Sequence, residues 1–308
     1  MQDKIQELRE NITKVFLGNE GAVDRLICCL LSRGHALIED VPGVGKTVLA
    51  TALARSIDCA FTRIQLTPDL LPGDVLGVSV LDKATGEFVL KKGPVFTNIL
   101  LADEINRTTP RTQTALLEAM SEQQVSVDGR VIPLEPPFMV LATQNPYEFE
   151  GTYLLPENQL DRFLMRIELG YPSAEDELRV LEIRPAQRVL AELKPVLNRA
   201  EVIDLQNQVD AVKVDRAILD YIVRIADATR NHPSIRVGLS PRGSLALAQA
   251  SRATAMIHNR DYVIPEDVLE NLTDIAAHRL IFTAGGHPDA EEAKALLDSI
   301  AAGVGSPA

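Results

Sequence analysis

The stretch that decides the fold is LIEDVPGVGKT, residues 37–47. An apolar run ends there in a glycine-rich loop, and a segment with helical periodicity, Thr47–Ile57, follows. Strand, glycine-rich loop and helix in this order are typical of a phosphate-binding loop. Its glycines let successive backbone amides point at phosphate oxygens, its lysine would bridge the β- and γ-phosphates, and its threonine hydroxyl would face Mg²⁺. The pattern predicts a nucleotide site made by Pro42, Gly43, Val44, Gly45, Lys46, Thr47 and Val48.

Two carboxylates and an amide complete this predicted site. Asn98–Glu104 (NILLADE) is a buried strand that ends in Asp103 and Glu104, beside the loop at the carboxyl edge of a parallel sheet. We expect Asp103 to hold magnesium through water and Glu104 to act as general base on the attacking water. Capping of the following helix is the alternative role for these acids. Asn145 follows a third strand and could orient the same water or the γ-phosphate, although Asn-Pro is also a common turn.

The order of elements predicts an α/β core followed by helices. Alternating helical and buried-strand patterns favour a parallel sheet wrapped by helices, with a DG hairpin at 124–134. The five predicted strands are His35–Glu39, Phe61–Leu66, Asn98–Ala102, Phe138–Thr143 and Leu164–Leu169. After Tyr171-Pro172 the periodicity is helical, which predicts a core over 1–172 and an all-α domain over 173–308 with a frayed tail from Gly303. Its predicted helices lie near 173–183, 199–211, 214–230, 240–257, 265–281 and 289–301.

Composition limits the partners. The 308 residues carry a net charge of −12, with 46% hydrophobic and 24% charged residues and no tryptophan. An acidic chain repels a phosphate backbone, and few aromatic side chains are available to stack on bases, so we expect no general nucleic-acid binding. The longest strongly apolar run is far shorter than the ~20 residues of a membrane span, so we expect a cytoplasmic protein without membrane insertion.

Five motifs in this order resemble the MoxR family of AAA+ ATPases, and the similarity spans nearly the whole chain. They are LIEDVPGVGKT (37–47), LLADEINRTTPRTQTALLEAMSE (100–122), VLATQNP (140–146), LPENQLDRF (155–163) and GLSPRGSLAL (238–247). In that family aspartate is common at the position of Asp40, where the loop motif otherwise begins with glycine. The resemblance implies a five-stranded AAA+ P-loop core, a helical lid, a helix-two insertion at about 67–77 and a hairpin before the first sensor.

The resemblance also implies an activity and roles for further residues. It implies Mg²⁺-dependent ATP hydrolysis by a nucleotide-dependent ring, expected to be a hexamer, that remodels a protein client or aids its metal loading with a von Willebrand factor A domain protein. Asn145 matches the first sensor, Arg162 resembles an arginine finger, and Arg242 resembles the second sensor of the lid, which would tie the lid to the γ-phosphate. The segment that closes over adenine corresponds to Val15, Phe16, Leu17 and Gly18.

Some assignments stay open at this stage. Arg166 lies four residues from Arg162 and is the second candidate for the finger, and either arginine could pair with surface acids. Arg107 and Arg111 could face a neighbouring subunit. A nucleic-acid motor is the alternative function, although the hairpin carries acids beside Arg130. A GTP switch or small-molecule kinase is disfavoured, because the chain has no Asn-Lys-x-Asp signature.

Overall fold

A five-stranded parallel sheet forms the centre of the molecule. The computed structural model describes residues 2–146, 151–283 and 290–307. The sheet strands, which we number β1 to β5, are β1 (Ala36–Glu39), β2 (Phe61–Gln65), β3 (Ile99–Asp103), β4 (Met139–Gln144) and β5 (Met165–Ile167). Their order across the sheet is β5-β1-β4-β3-β2, and every neighbouring pair is parallel. All residues of β3 and β4 are buried, as expected where helices cover both faces. The predicted fold class is confirmed.

The helices fall into two groups along the chain. Those of the first 172 residues are Gln2–Thr13, Glu20–Leu31, Lys46–Ser56, Pro72–Leu76, Pro110–Glu122 and Glu157–Leu160, with a 3-10 turn at Ile105–Arg107. Those that follow are Ala174–Ile183, Pro185–Arg188, Arg199–Ala211, Arg216–Arg230, Pro241–Ile257, Pro265–Ala276 and Ala290–Val304, with a 3-10 turn at Ala277–Arg279. Among the described residues, no helix is long and apolar enough to cross a membrane.

Apolar side chains pack on both faces of the sheet. Successive residues of a strand point to opposite faces, so Leu37 of β1 joins one core and Ile38 joins the other. The core that contains Ile38 continues into the helices beyond residue 173. At this junction the Gln206 side chain donates a buried hydrogen bond of 2.7 Å to the Leu30 carbonyl. The domain boundary at 172/173 stays a prediction.

Two antiparallel hairpins project from the core sequence. The predicted one pairs Gln124–Val127 with Arg130–Pro133 through a turn in which both central residues have positive φ. The other pairs Gly77–Leu81 with Phe88–Lys92 and was not predicted, because the sequence indicated only an insertion over 67–77. Its first residue must be glycine, since a Cβ at Gly77 would lie 2.4 Å from the Lys91 carbonyl oxygen.

Two short strand pairs join distant parts of the chain. Ile57–Asp58 pairs in parallel with Leu197–Asn198, and Ile235–Val237 pairs with Ile281–Phe282. In the described residues after 173, the regular structure is therefore helical apart from these short strands.

The predicted tail begins too early in the chain. The final helix continues through Gly303 and Val304, so Gly303 is not the start of a frayed segment. The reason is a cap at the carboxyl end of the helix: the Arg224 guanidinium donates hydrogen bonds to the carbonyls of Val304 (2.8 Å) and Gly305 (3.4 Å).

His35 makes folding stability depend on pH. The ring is buried, its Nδ1 accepts a hydrogen bond from the Val140 amide (2.9 Å), and its Nε2 donates to the Met120 carbonyl (3.1 Å). Burial lowers the pKa of His35 from 6.5 to about 4. Between pH 6.5 and pH 4, His35 therefore binds a proton more readily in the unfolded chain than in the folded one. The stability that the neutral buried ring contributes is lost as the pH falls below 6.5.

We expect the free energy of unfolding to fall by about 2 kcal/mol more in the parent than in His35→Gln between pH 7.5 and pH 5. Urea unfolding of both proteins at the two pH values measures this difference. Equal losses in the two proteins would contradict the role given to His35.

Candidate active site

The glycine-rich loop has the conformation that phosphate binding needs. Gly43 and Gly45 have φ of 90° and 96°, a region that favours glycine, and the helix begins at Lys46 without a side-chain cap on its amides. Lys46 Nζ donates hydrogen bonds to the carbonyls of Asp40 (2.7 Å) and Gln144 (2.9 Å). Partial burial lowers the pKa of this lysine, and the surrounding carboxylates oppose that shift. The loop thus presents unpaired helix amides and an ammonium group to one space.

Asp40 fastens this loop to the chain that leaves β5. One carboxylate oxygen accepts a hydrogen bond from the Val41 amide (2.7 Å). The other accepts from the amides of Leu169 (2.8 Å) and Gly170 (2.7 Å). The residue that stands in place of the usual glycine therefore connects the phosphate loop to the segment entering the helical part.

Asp103 lies at the end of β3, beside the loop. Its Oδ1 accepts a hydrogen bond from the Thr143 hydroxyl (2.6 Å), and its Oδ2 accepts from the Arg63 guanidinium (2.7 Å) and lies 3.4 Å from the Thr47 hydroxyl. The Thr47 and Asp103 oxygens are the ligand type that Mg²⁺ prefers, directly or through water, so the residues present fit this ion. Arg63 on β2 partly neutralises the same carboxylate, and the sequence analysis missed it.

Glu104 is held in a left-handed backbone conformation with φ of 58°. Its amide donates to the Thr143 hydroxyl (2.9 Å), and its carboxylate accepts a hydrogen bond of 2.6 Å from the Gln65 side chain. Arg107 Nε lies 3.2 Å from the same carboxylate oxygen, so Arg107 contacts its own chain here. Gln65, at the end of β2, is the second residue that the sequence analysis missed.

Asn145 and the Val15–Gly18 segment also lie at this side of the molecule. Asn145 directly follows β4, and its carbonyl accepts a hydrogen bond of 3.4 Å from Asn106. The Phe16 ring packs against the phosphate loop: a Cβ on Gly45 would lie 3.3 Å from it. The structure thus brings the loop, both carboxylates, Asn145 and Phe16 to the carboxyl edge of the sheet.

The candidate arginines Arg162 and Arg242 lie at the opposite, amino edge. The Leu164 amide donates to the His35 carbonyl (2.8 Å), which fixes the chain entering β5 beside the start of β1. Arg162 donates to the Leu117 carbonyl (2.9 Å) and the Ser121 hydroxyl (2.6 Å), one turn from Met120, which contacts His35.

Arg242 extends to the same region. Its guanidinium lies 3.6 Å from the Asp161 carboxylate and is more than half exposed. The five steps along the chain from His35 through β1 to Asp40 span about 16 Å. Arg242 therefore does not reach the phosphate loop of its own chain in this structure.

The remaining arginines have distinct surroundings. Arg166 is only 10% exposed and is paired with Glu39 (3.2 Å) and Glu168 (3.3 Å). Arg162 by contrast is half-buried and contacts neutral groups, the Leu117 carbonyl and the Ser121 hydroxyl. Arg111 is exposed on the Pro110–Glu122 helix. These surroundings favour Arg162 over Arg166 as a residue that contacts a second chain.

Comparisons with known proteins identify the family to which this fold belongs. Residues 35–165 match the model of the ATPase family associated with various cellular activities (AAA), and residues 227–300 match an AAA lid domain. A candidate ATPase from Cytophaga hutchinsonii has a crystal structure that superposes with a TM-score of 0.89 at 38% identity, over 100% of this chain and 96% of the other.

Curated relatives cover most of the chain. YeaC of Bacillus subtilis is 48% identical over 302 residues, which are 97% of this chain and 93% of the relative. Chaperone MoxR1 of Mycobacterium tuberculosis is 42% identical over 88% of this chain and 74% of the relative. Protein MoxR of Methylorubrum extorquens is 30% identical over 91% and 88%. The chain therefore belongs to the MoxR family of AAA+ ATPases.

Proposed function

We propose that this ATPase is a remodelling chaperone that works as a nucleotide-dependent ring, with each ATP site built from two copies of the chain. A relative at 42% identity is named a chaperone, which supports the chaperone class. The ring, expected to be a hexamer, would act on a protein client in the cytoplasm, in maturation or metal-cofactor insertion, with a von Willebrand factor A domain protein as helper. The core would cover residues 1–172 and the lid residues 173–308.

The separation of the site residues is the observation that carries this proposal. Lys46, Asp103 and Glu104 lie at the carboxyl edge of the sheet, and Arg162 and Arg242 lie at the amino edge, about 16 Å away. No side chain spans that distance. A second copy that presents its amino edge to this carboxyl edge would bring both halves together.

The residues of the carboxyl edge would bind and orient the reactants. The amides of the loop and Lys46 would hold the β- and γ-phosphates of ATP, and Thr47 and Asp103 would hold the metal. Bound Mg²⁺ would neutralise charge on the phosphate oxygens. Phe16 and its neighbours would cover the adenine, and Asn145 would orient the γ-phosphate or the attacking water.

Glu104 would accept the proton of the attacking water. In this structure Gln65 and Arg107 both contact Oε2 of this carboxylate, so Oε1 would be the oxygen that takes the proton. Arg162 and Arg242 of the neighbouring copy would stabilise the charge that develops on the γ-phosphate in the transition state.

Native mass measured with and without ATP, together with phosphate release, tests this function. We expect ATP to promote assembly and the turnover per subunit to rise over the same range of protein concentration. A chain that stays monomeric in ATP and hydrolyses it at a concentration-independent rate would contradict the shared site.

Nucleic-acid binding separates the proposed function from the alternative motor. Because the chain carries −12 net charge, we expect no measurable binding of duplex or single-stranded DNA or RNA near physiological salt. Fluorescence anisotropy with labelled oligonucleotides over a range of salt concentrations measures this. Micromolar binding that weakens steeply as salt rises would favour a nucleic-acid motor.

A further inference from the structure

The helix Ala174–Ile183 contains no buried residue. Its apolar side chains are exposed, with Leu178 at 56% and Leu181 at 68% of their possible exposure. Isolated helices of this length are marginal in water, and helices in proteins gain most of their stability by burying an apolar stripe. This helix therefore presents a stripe whose burial against a partner would stabilise it.

The chemistry around the stripe indicates what the partner should offer. Leu178 and Leu181 are three positions apart and lie on one stripe of the helix. Exposed carboxylates flank this stripe, while Arg179, the arginine of the helix, is paired with Asp176 at 3.2 Å. The flanking acids are Glu175, Glu177 and Glu182. An apolar surface with positive charge is the complement.

The helix starts beside the nucleotide site. Three residues separate it from Gly170, whose amide is bonded to Asp40 of the phosphate loop at 2.7 Å. A second protein chain that covers the phosphate loop would therefore also lie close to the start of this helix.

This chain carries a matching surface at its amino edge. Arg242 and Leu245 lie three positions apart on the Pro241–Ile257 helix, and Leu245 is 73% exposed. Arg236, which is exposed on the preceding strand, adds a positive charge six positions before Arg242 in the chain. We name the exposed surface formed by Arg242 and Leu245 the arginine face.

We propose that the helix Ala174–Ile183 of one copy docks on the arginine face of a second copy. The proposal rests on the proposed function, because delivery of Arg242 to the neighbouring ATP site would bring the arginine face to the phosphate loop and so to this helix. In this contact Leu181 would pack against Leu245, and the glutamates of the helix would face Arg242. Assembly of the ring would then depend on the segment that follows β5.

Charge insertion into the apolar contact tests this docking. In sedimentation experiments with ATP, on a Glu104→Gln background that keeps ATP intact, we expect Leu181→Asp and Leu245→Asp each to raise the dissociation constant of the assembly at least about tenfold. Leu219→Asp, at an exposed leucine of the Arg216–Arg230 helix, is the matched control and should assemble normally. Because all three leucines are exposed, circular dichroism and ATP binding should not change. Normal assembly of Leu181→Asp would overturn the proposal and leave the helix as a surface for a client protein.

A photoreactive phenylalanine analogue at position 181 locates the contact directly. With mixed isotope-labelled and unlabelled copies, we expect cross-links between copies that map to residues 235–249. Cross-links confined to one chain, or to another segment, would overturn the docking. If the parent still assembles in that case, the proposed function stands. Failure of the parent itself to assemble would instead contradict the proposed function.

Discussion

Glu104→Gln should bind ATP with nearly parental affinity and hydrolyse it at least about 100-fold more slowly. Glutamine keeps the shape of the side chain and can still face Gln65, but it cannot accept a proton from water. The loop amides, Lys46 and Asp103 are unchanged, so the phosphate groups should bind as before. Phosphate release and titration with a fluorescent ATP analogue measure the two effects separately.

Two variants serve as controls for this prediction. Lys46→Ala removes an ammonium group from the phosphate site and should weaken ATP binding itself. Glu118→Gln changes an exposed glutamate on the Pro110–Glu122 helix and should leave both binding and turnover unchanged. Parental turnover in Glu104→Gln would show that the base is a different group.

Arg162→Ala should lose most of the increase in ATP turnover that the parent shows when its copies assemble. An arginine supplied by a neighbouring chain contributes ~10³–10⁵ in turnover in comparable nucleotide hydrolases, because it neutralises charge that develops only in the transition state. ATP affinity should change little, since Arg162 lies far from its own phosphate loop. Phosphate release measured over a range of protein concentration should rise for the parent and stay flat for the variant.

The exposed Arg216 provides the matched control for Arg162. Arg216→Ala removes an exposed arginine at the start of its helix and should keep the concentration-dependent rise. If the turnover per subunit of Arg162→Ala rises with protein concentration as much as that of the parent, Arg162 is not the arginine finger.

The sequence predicted the half of the site that follows from parallel strands. Carboxyl ends of parallel strands meet at one edge of a sheet, so residues just after the strands could be grouped without knowing the strand order. This grouping covered Lys46, Asp103, Glu104 and Asn145. Arg63 and Gln65 were missed because their contacts depend on β2 lying next to β3, with Gln65 opposite Asp103. Strand order and register are tertiary properties that the local pattern does not contain.

The sequence also did not predict where the arginines lie relative to the loop. The resemblance to the family suggested that Arg242 ties the lid to the γ-phosphate, but it gave no distance between Arg242 and the loop of the same chain. The Asp161 contact locates Arg242 at the amino edge. A role for Arg242 on the γ-phosphate therefore requires a second copy or a different conformation of the chain.

The hairpin Gly77–Lys92 was missed although a signal was present. Val78 and Val80 alternate with polar or small residues, and a turn sequence with Gly86 follows before the second strand. The prolines and glycines of residues 67–77 instead indicated an irregular insertion. The predicted insertion therefore stopped at residue 77 and left out the hairpin that follows.

Mixing two inactive variants tests the shared site most directly. A Glu104→Gln copy keeps its arginines, and an Arg162→Ala copy keeps its base, so each is nearly inactive alone. In a one-to-one mixed ring, about a quarter of the interfaces would pair an intact base with an intact arginine. We therefore expect the mixture to recover up to that share of the parental phosphate release. If mixed rings form, as native mass spectrometry would establish, and no activity returns, Arg162 does not act on the ATP of a neighbouring copy and the account of a site shared between two chains is wrong.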